Sequence, residues 1–396
     1  MREALNDNEQ LRVKDLIVRF YTYEGIVKAV EKANLQLRKG ETLGIVGETG
    51  SGKSVTAFTI MALTPPPGRV EGGSVYFRRD NGDVVDMVKL PETELLKIRG
   101  REIAMIFQEP NAALDPLYRV GDQIAEAILA HRSREMIDRA VKLTERELAQ
   151  GDGGLGTKLE LWAYKKMLKN GESPLLRVLR RLPVVRGVIT RRLRKVVREE
   201  IVELLRLMEI PDPERVVDAY PHELSGGMQQ RIVIAIALAC SPVLLLADEP
   251  TTSLDVTVQA QIIDLIMRLK KRFGTSVIYI THDMGVIAEI SDRVAVMYAG
   301  NVVEVAPVKE LFKNPMHPYT KALLEAIPRP GSSFKSIPGT VPNLVNPPSG
   351  CRFHPRCPYT KDICKRVAPR LVKVSEDHYV ACLLYGGGDE EHTSNR

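Results

Sequence analysis

A chain of 396 residues is long for one domain and short for three, and its 44% hydrophobic and 27% charged residues exclude global disorder. Aromatics contribute only 5%, so the core must be built mainly from Ile, Val, Leu and Ala. The net charge of +6 is uneven: His131 to Glu200 holds 18 Lys/Arg against 9 Asp/Glu, whereas the rest of the chain holds 38 against 41.

The N-terminus, MREALNDNEQ, is polar and lacks the apolar core of a secretory signal. No stretch reaches the ~18 apolar residues needed to cross a bilayer. The nearest, Ile232 to Ala247, is broken by Ser241-Pro242. These features predict a cytoplasmic chain that can still dock on a membrane partner. Short apolar runs at Leu16–Phe20, Ala33–Leu37 and Thr42–Val46 read as strands, the last continuous as in a buried strand. Gly72–Phe77 and Ile103–Phe107 read as two more. From Val120 to Met208 the spacing turns helical, with a Gly-rich break at Gly151–Gly156 and further breaks at Pro174 and Pro183. Strand patterns return at Val243–Ala247, Val277–Ile280 and Val294–Tyr298, with helical stretches between. This alternation predicts a parallel sheet covered on both faces. Nine of the 25 prolines fall between Pro328 and Pro369, which sets the tail apart as a loop-rich unit.

Gly47-Glu-Thr-Gly-Ser-Gly-Lys-Ser54 matches G-x-x-x-x-G-K-[ST] between an apolar strand and a helical stretch. In such a loop the glycines let backbone N–H groups curl around phosphate oxygens, Lys53 supplies charge to the outer phosphates, and Ser54 offers its hydroxyl to magnesium. A Gly-rich turn with nothing bound is the plain alternative. At Leu244-Leu-Leu-Ala-Asp-Glu-Pro250 an apolar strand ends in two carboxylates, which are costly to bury unless paired or bound to metal. Asp248 fits the magnesium shell and Glu249 the polarisation of an attacking water; a helix cap or salt bridge is the structural alternative. Leu224-Ser-Gly-Gly-Met-Gln-Gln-Arg231 opens a helix whose bare amides suit an anion, although Ser225 also suits a simple N-cap. No motif recurs, so one nucleotide-binding unit per chain is expected.

Taken together, these motifs resemble the ATPase subunits of ABC transporters. The resemblance implies an α/β P-loop ABC ATPase fold: a RecA-like parallel sheet core with an antiparallel β subdomain and a helical subdomain, here followed by a Pro/Cys-rich C-terminal extension. It implies domain limits of 1–300 for the ATPase, with the helical subdomain at about 114–228, and 301–396 for the extension. Leu224–Gly227 is similar to the family's signature motif, although Met228 stands where Gln is commonest. Gln108 is similar to the Q-loop residue that reaches magnesium and senses the transmembrane partner. Ser253-Leu-Asp255 resembles the D-loop, and His282 the switch histidine at the γ-phosphate. Tyr23, or else Tyr21, matches the aromatic that stacks on adenine.

The family pairs two such subunits head to tail. Gly47, Glu48, Thr49, Gly50, Ser51, Gly52, Lys53, Ser54, Gln108, Asp248 and Tyr23 would then meet one ATP and its Mg2+. Ser225, Gly226, Gly227 and Asp255 would complete the partner's site.

The tail narrows the resemblance. Asn314–Leu324, Ile337-Pro-Gly-Thr-Val-Pro-Asn343, Gly350-Cys-Arg-Phe-His-Pro-Arg-Cys357 and Asp255-Val-Thr-Val-Gln-Ala260 resemble the dipeptide and oligopeptide import branch. Thr49, where the branch often has Ser, and a basic insertion at about 141–190 depart from it. The cysteines read Cys351-x5-Cys357-x6-Cys364-x17-Cys382, four thiols in a Pro-rich segment with little core of its own. Branch members can carry a [4Fe–4S] cluster at such cysteines. The gaps exceed those of zinc knuckles, though Zn2+, free thiols and disulfides stay open. Arg352, Arg356, Lys361, Lys365 and Arg366 are expected to offset thiolate charge. Cys240 reads as plain core.

The insertion includes Trp162 and basic clusters at Lys165-Lys166 and Arg180-Arg181, with Arg191–Lys195 just beyond it. It reads as a solvated amphipathic face, or as a contact for anionic headgroups or the permease. It lacks the aromatics that nucleic-acid stacking needs.

The implied protein is an ATPase and translocase on the cytoplasmic side of the cell membrane, peripheral to it, that drives uptake of peptides or related solutes, oligosaccharides among them. Its partners would be a second ATPase subunit (homologous or identical), two permease subunits and an extracellular solute-binding protein, with no nucleic acid. A ribosome- or DNA-acting relative would carry two ATPase units or long coiled coils. A non-hydrolysing partner would lack the intact Asp248, Glu249 and His282.

Overall fold

The sequence lays down two kinds of strand. In β1 (Glu9–Thr22), β2 (Gly25–Arg38) and β4 (Gly68–Arg78) buried and open positions are interspersed, as on a sheet with one covered face. In β3 (Thr42–Val46), β7 (Leu244–Asp248), β8 (Ser276–Ile280) and β9 (Arg293–Tyr298) every residue is buried, the mark of strands covered on both sides. The first kind, with β5 (Val84–Asp86), makes a four-stranded antiparallel sheet in the order β2-β1-β4-β5. The second kind joins β6 (Ile103–Ile106) in a parallel array ordered β9-β3-β8-β7-β6. This computed structural model describes residues 5–170, 183–252, 254–327 and 337–388.

The chain divides into two compact units. The first comprises residues 1–108, 242–252 and 259–396 and contains both sheets. Leu11, Leu16, Leu37, Phe77 and Met87 share one core cluster with Ile45, Ile60, Ile103, Leu246 and Ile278. Burying a side chain of this size contributes about 1.5–3 kcal/mol.

The Pro-rich tail contributes strands to the main sheet. β10 (Asn301–Pro307) pairs antiparallel with β9, β12 (His378–Val380) with β10, and β11 (Val372–Ser375) with β12. Inside this extension Glu304 is fully buried. It accepts from the backbone N–H groups of Met316 and His317 at 2.7 and 2.9 Å and meets His378 Nε2 at 2.8 Å.

The second unit, residues 109–241 and 253–258, is helical, with long helices at Val120–Ala149, Leu155–Asn170 and Pro183–Leu207. The first is kinked at Arg132, whose guanidinium bridges Glu135, Glu200 and the Ala239 carbonyl. Part of the basic stretch turns inward. Arg192 pairs with Glu147 and with the fully buried Glu160, which also accepts from Tyr164 Oη at 2.6 Å. Lys165 pairs with Glu145, and Lys166 lies over the Trp162 ring. The Arg180-Arg181 cluster and Pro174 lie outside the described residues. Among the described residues no helix is long and apolar enough to cross a membrane.

Glu304→Ala leaves His378 and the Met316 and His317 amides without this acceptor. It is expected to cost the first unit about 3 kcal/mol or more, read as a lower denaturant midpoint of the full chain.

Candidate nucleotide site

Four neighbouring parallel strands end side by side, and each delivers chemistry at its C-terminal end: β3 the Gly47–Ser54 loop, β8 His282, β7 Asp248-Glu249 and β6 Gln108. Register aligns them, with Ile45 and Asp248 both opposite Ile280.

The loop's shape follows from its glycines. Gly52 (φ +97°) precedes helix Lys53–Ile60 with no side-chain cap, and a Cβ there would sit 2.6 Å from the Ala29 carbonyl oxygen. Gly50 (φ +79°) has open space where its Cβ would be. The uncapped helix start leaves N–H groups for an anion. Ser51 Oγ is buried without a partner, as suits a hydroxyl that waits for a ligand. Lys53 Nζ donates to the carbonyls of Gly47 and Glu48 at 2.8 and 3.2 Å, curled back over the loop. Desolvation holds its pKa below the usual lysine range, against the charges of Glu249, Asp248 and Glu48.

The acids are gathered in a different way. Ser54 Oγ donates to Asp248 Oδ1 at 3.1 Å. Desolvation pushes Asp248 above the usual carboxylate range, the Ser54 hydrogen bond opposes this and the Glu249 charge adds to it. Glu249 sits in the left-handed region (φ +47°), a strained position for a side-chain-bearing residue that costs about 1–2 kcal/mol. Its amide is anchored on the Ile280 carbonyl at 2.9 Å. The carboxylate collects three neighbours: Gln108 Nε2 at 3.3 Å, His282 Nδ1 at 3.3 Å and Thr252 Oγ1 at 3.0 Å. Glu249 is mostly covered, whereas His282 is exposed and free to reach a ligand. Ser54, Asp248 and Gln108 supply the hard oxygen donors that magnesium takes.

Of the two candidate adenine platforms, Tyr21 is engaged: its hydroxyl donates to Glu71 and the Arg69 guanidinium lies over its ring. Tyr23 stands fully exposed in the β1–β2 turn. The other predicted ATP residues belong to the helical unit. Ser225 caps helix Gly226–Leu238, accepting from the Met228 N–H at 3.4 Å. Gly226 and Gly227 face Leu254 and Val258, and at Gly227 a Cβ would meet Val258 at 2.9 Å. Asp255 accepts from the Val258 N–H at 3.0 Å. Ser253 lies outside the described residues.

The sequence pattern did not disclose Thr252. It falls outside every motif and meets Glu249 only because the chain turns back after Pro250.

Cys351, Cys357, Cys364 and Cys382 are free thiols lining one small pocket with His317 and His354. Burial pushes Cys351 up to about 11 and raises Cys382. Four soft donors converging without a disulfide match in kind the ligand set of a thiolate-held centre. Among the described residues, however, no three His, Cys, Asp or Glu side chains are already grouped closely enough to hold a metal ion. Three of the five flanking cations are engaged elsewhere. Arg352 binds Glu31 and the carbonyls of Lys28 and Ala299, Arg356 binds Glu48, and Lys365 binds Asp362. Oxygen acceptors, both carboxylates and backbone carbonyls, hold these cations rather than the thiols.

A family model described as ABC transporter matches residues 30–252, and one described as oligopeptide/dipeptide transporter, C-terminal region, matches residues 303–364. The oligopeptide transport ATP-binding protein OppD of Bacillus subtilis is 44% identical over 379 residues, covering 94% of this chain and 88% of that protein. The dipeptide transport ATP-binding protein DppD of the same organism is 42% identical, covering 94% of each. Among solved structures, the dimeric bacterial ABC transporter cassette MJ0796 aligns with a TM-score of 0.52 at 25% identity, over 75% of this chain and 98% of that one.

Protons bind Asp248 more tightly in the folded chain than in the unfolded one, so its ionisation costs stability at neutral pH. That cost disappears as pH falls through the raised pKa. Asp248→Asn is therefore expected to raise the nucleotide-free melting temperature at neutral pH, with the gain shrinking in acid, while it weakens magnesium-dependent nucleotide retention. Thermal scans across pH, with and without nucleotide, check both.

Proposed function

The chain belongs to the ABC transporter ATP-binding family, and from that membership we propose that it is the ATP-hydrolysing subunit of an importer for dipeptides, oligopeptides or related small solutes. The observation that carries this reading is the meeting of the phosphate loop, the acidic pair, Gln108 and His282 at four adjacent strand ends. The choice of solute rests on the OppD and DppD relatives and on the match at residues 303–364.

In this reading the loop amides from Gly47 to Ser54 bind the phosphates of ATP, and Lys53 leaves its carbonyl partners to meet the outer ones. Tyr23 stacks on adenine. Ser54, Asp248 and Gln108 would hold Mg2+, which when bound neutralises charge on the phosphate oxygens. Glu249 orients and polarises the attacking water, and Thr252, Gln108 and His282 fix where its carboxylate points. His282 turns from Glu249 to the γ-phosphate. Ser225, Gly226, Gly227 and Asp255 serve the ATP held by a second ATPase subunit, identical or homologous. ATP thus favours the closed pair and hydrolysis lets it part.

The subunit would sit at the cytoplasmic face of the membrane against two permease subunits, supplied by an extracellular solute-binding protein. Residues 1–300 form the ATPase domain in this scheme, with the helical subdomain at about 114–228, and 301–396 the extension. Cys351, Cys357, Cys364 and Cys382 would hold a [4Fe–4S] cluster, with Zn2+ the alternative. Such a centre, when bound, ties loops that have little core of their own.

Glu249→Gln keeps the hydrogen-bonding outline and removes the base. ATP retention is expected to persist while turnover falls about 10²–10⁴-fold, and with it ATP-driven peptide uptake in vesicles carrying the permeases. Hydrolysis at the parent rate would reject Glu249 as the base. Chain purified without oxygen is expected to contain iron and acid-labile sulfide that Cys357→Ser removes. Zinc without sulfide would identify the alternative centre.

A further inference from the structure

The phosphate loop contains an acid whose position is a problem for anion binding. Glu48 lies between Gly47 and Thr49, and its carboxylate is close enough for its charge to act on Lys53. Left alone it would compete with phosphates for that ammonium and repel them from the loop. The structure answers this from the far end of the chain. Arg356 Nη1 donates to Glu48 Oε2 at 2.8 Å and Nη2 to Oε1 at 3.1 Å, a two-bond fork of the kind only arginine makes.

The arginine itself is held. Its Nε donates to the Pro338 carbonyl at 2.8 Å, its guanidinium lies over Tyr298 and Phe353, and its side chain is only 5% exposed. The same extension grips the Glu48 backbone, whose N–H donates to Tyr319 Oη at 2.9 Å. Tyr319 packs with Tyr298 and Phe353 in the same aromatic cluster.

We infer that Arg356 is a positioning residue for ATP binding: its fork holds the Glu48 carboxylate and offsets its charge beside Lys53 and the incoming phosphates, and makes the phosphate loop depend on the cysteine segment in which it sits. Arg356 directly precedes Cys357, and Arg352 directly follows Cys351. Arg352 grips the Ala299 carbonyl, and the adjoining Gly300 N–H donates to the Ser51 carbonyl at 2.9 Å. The segment therefore reaches the loop by two routes. The inference rests on the ATP site proposed above and assigns a role to a residue outside it.

The test is a set of affinities for labelled ATP with magnesium, measured on the full chain. Retention by the unsubstituted chain tests the site itself, and its absence would overturn both readings. Arg356→Ala is expected to weaken ATP binding roughly tenfold, and adding Glu48→Gln to it is expected to restore most of the loss, because the unmasked charge is then gone. Arg356→Lys, which keeps the charge but not the fork, should fall between, and it carries the comparison if the alanine variant does not fold. A merely structural arginine would give no such rescue. ATP affinity that is unchanged in Arg356→Ala, or a double variant as weak as the single one, would overturn the inference while leaving the ATP site standing.

Discussion

Two adjacent carboxylates at the end of a wholly buried strand are the constraint around which this molecule is organised. A strand such as Leu244–Asp248 earns its stability from apolar burial, and charge at its end works against that. The chain keeps Asp248 by placing Ser54 and Lys53 across from it, and Glu249 by surrounding it with Gln108, Thr252 and His282. Gln108, His282 and the helix start at Lys53-Ser54 follow neighbouring strands, and Thr252 lies in the turn after Glu249 itself. The parallel register that aligns those ends is thus as much part of the site as the side chains are.

The extension belongs to the same system. Its strands continue the main sheet past β9, and its arginines reach back to the phosphate loop and to β2. Buried Glu304 fastens β10 to His378 and to the start of helix Pro318–Glu325, where Tyr319 lies. A cluster or metal at the four cysteines would stiffen a segment already in contact with the nucleotide loop, so structural and catalytic parts are not separable here.

Sequence patterning was sufficient for the parallel strands and for the residues that cluster at their ends. Those strands are continuous apolar runs, and the loop and the acidic pair have fixed local spacing. The short strands β5, β11 and β12 were not apparent, because three or four residues carry too little periodicity. Composition marked the tail by its prolines and concealed that Val302–Ala306 continues a sheet. The pairing of Arg356 with Glu48 spans 308 positions. No local pattern could reveal it, and the cations beside the cysteines read more simply as counter-charges for thiolates. The inward turn of Arg192 toward Glu160 was hidden for the same reason: a basic run looks solvated until its partners on other helices are known.

The position of β3 between β8 and β9 has a bearing on how the protein is made. The strand leaves the ribosome early, yet both its neighbours are translated far later, and the segment that holds Glu48 comes later still. Until then its apolar residues have no sheet to join, a burden of long-range pairing that slows folding and exposes the nascent chain. A polypeptide stopped before β8 would lack His282 and the strand through which the phosphate loop and the acidic pair are held in register.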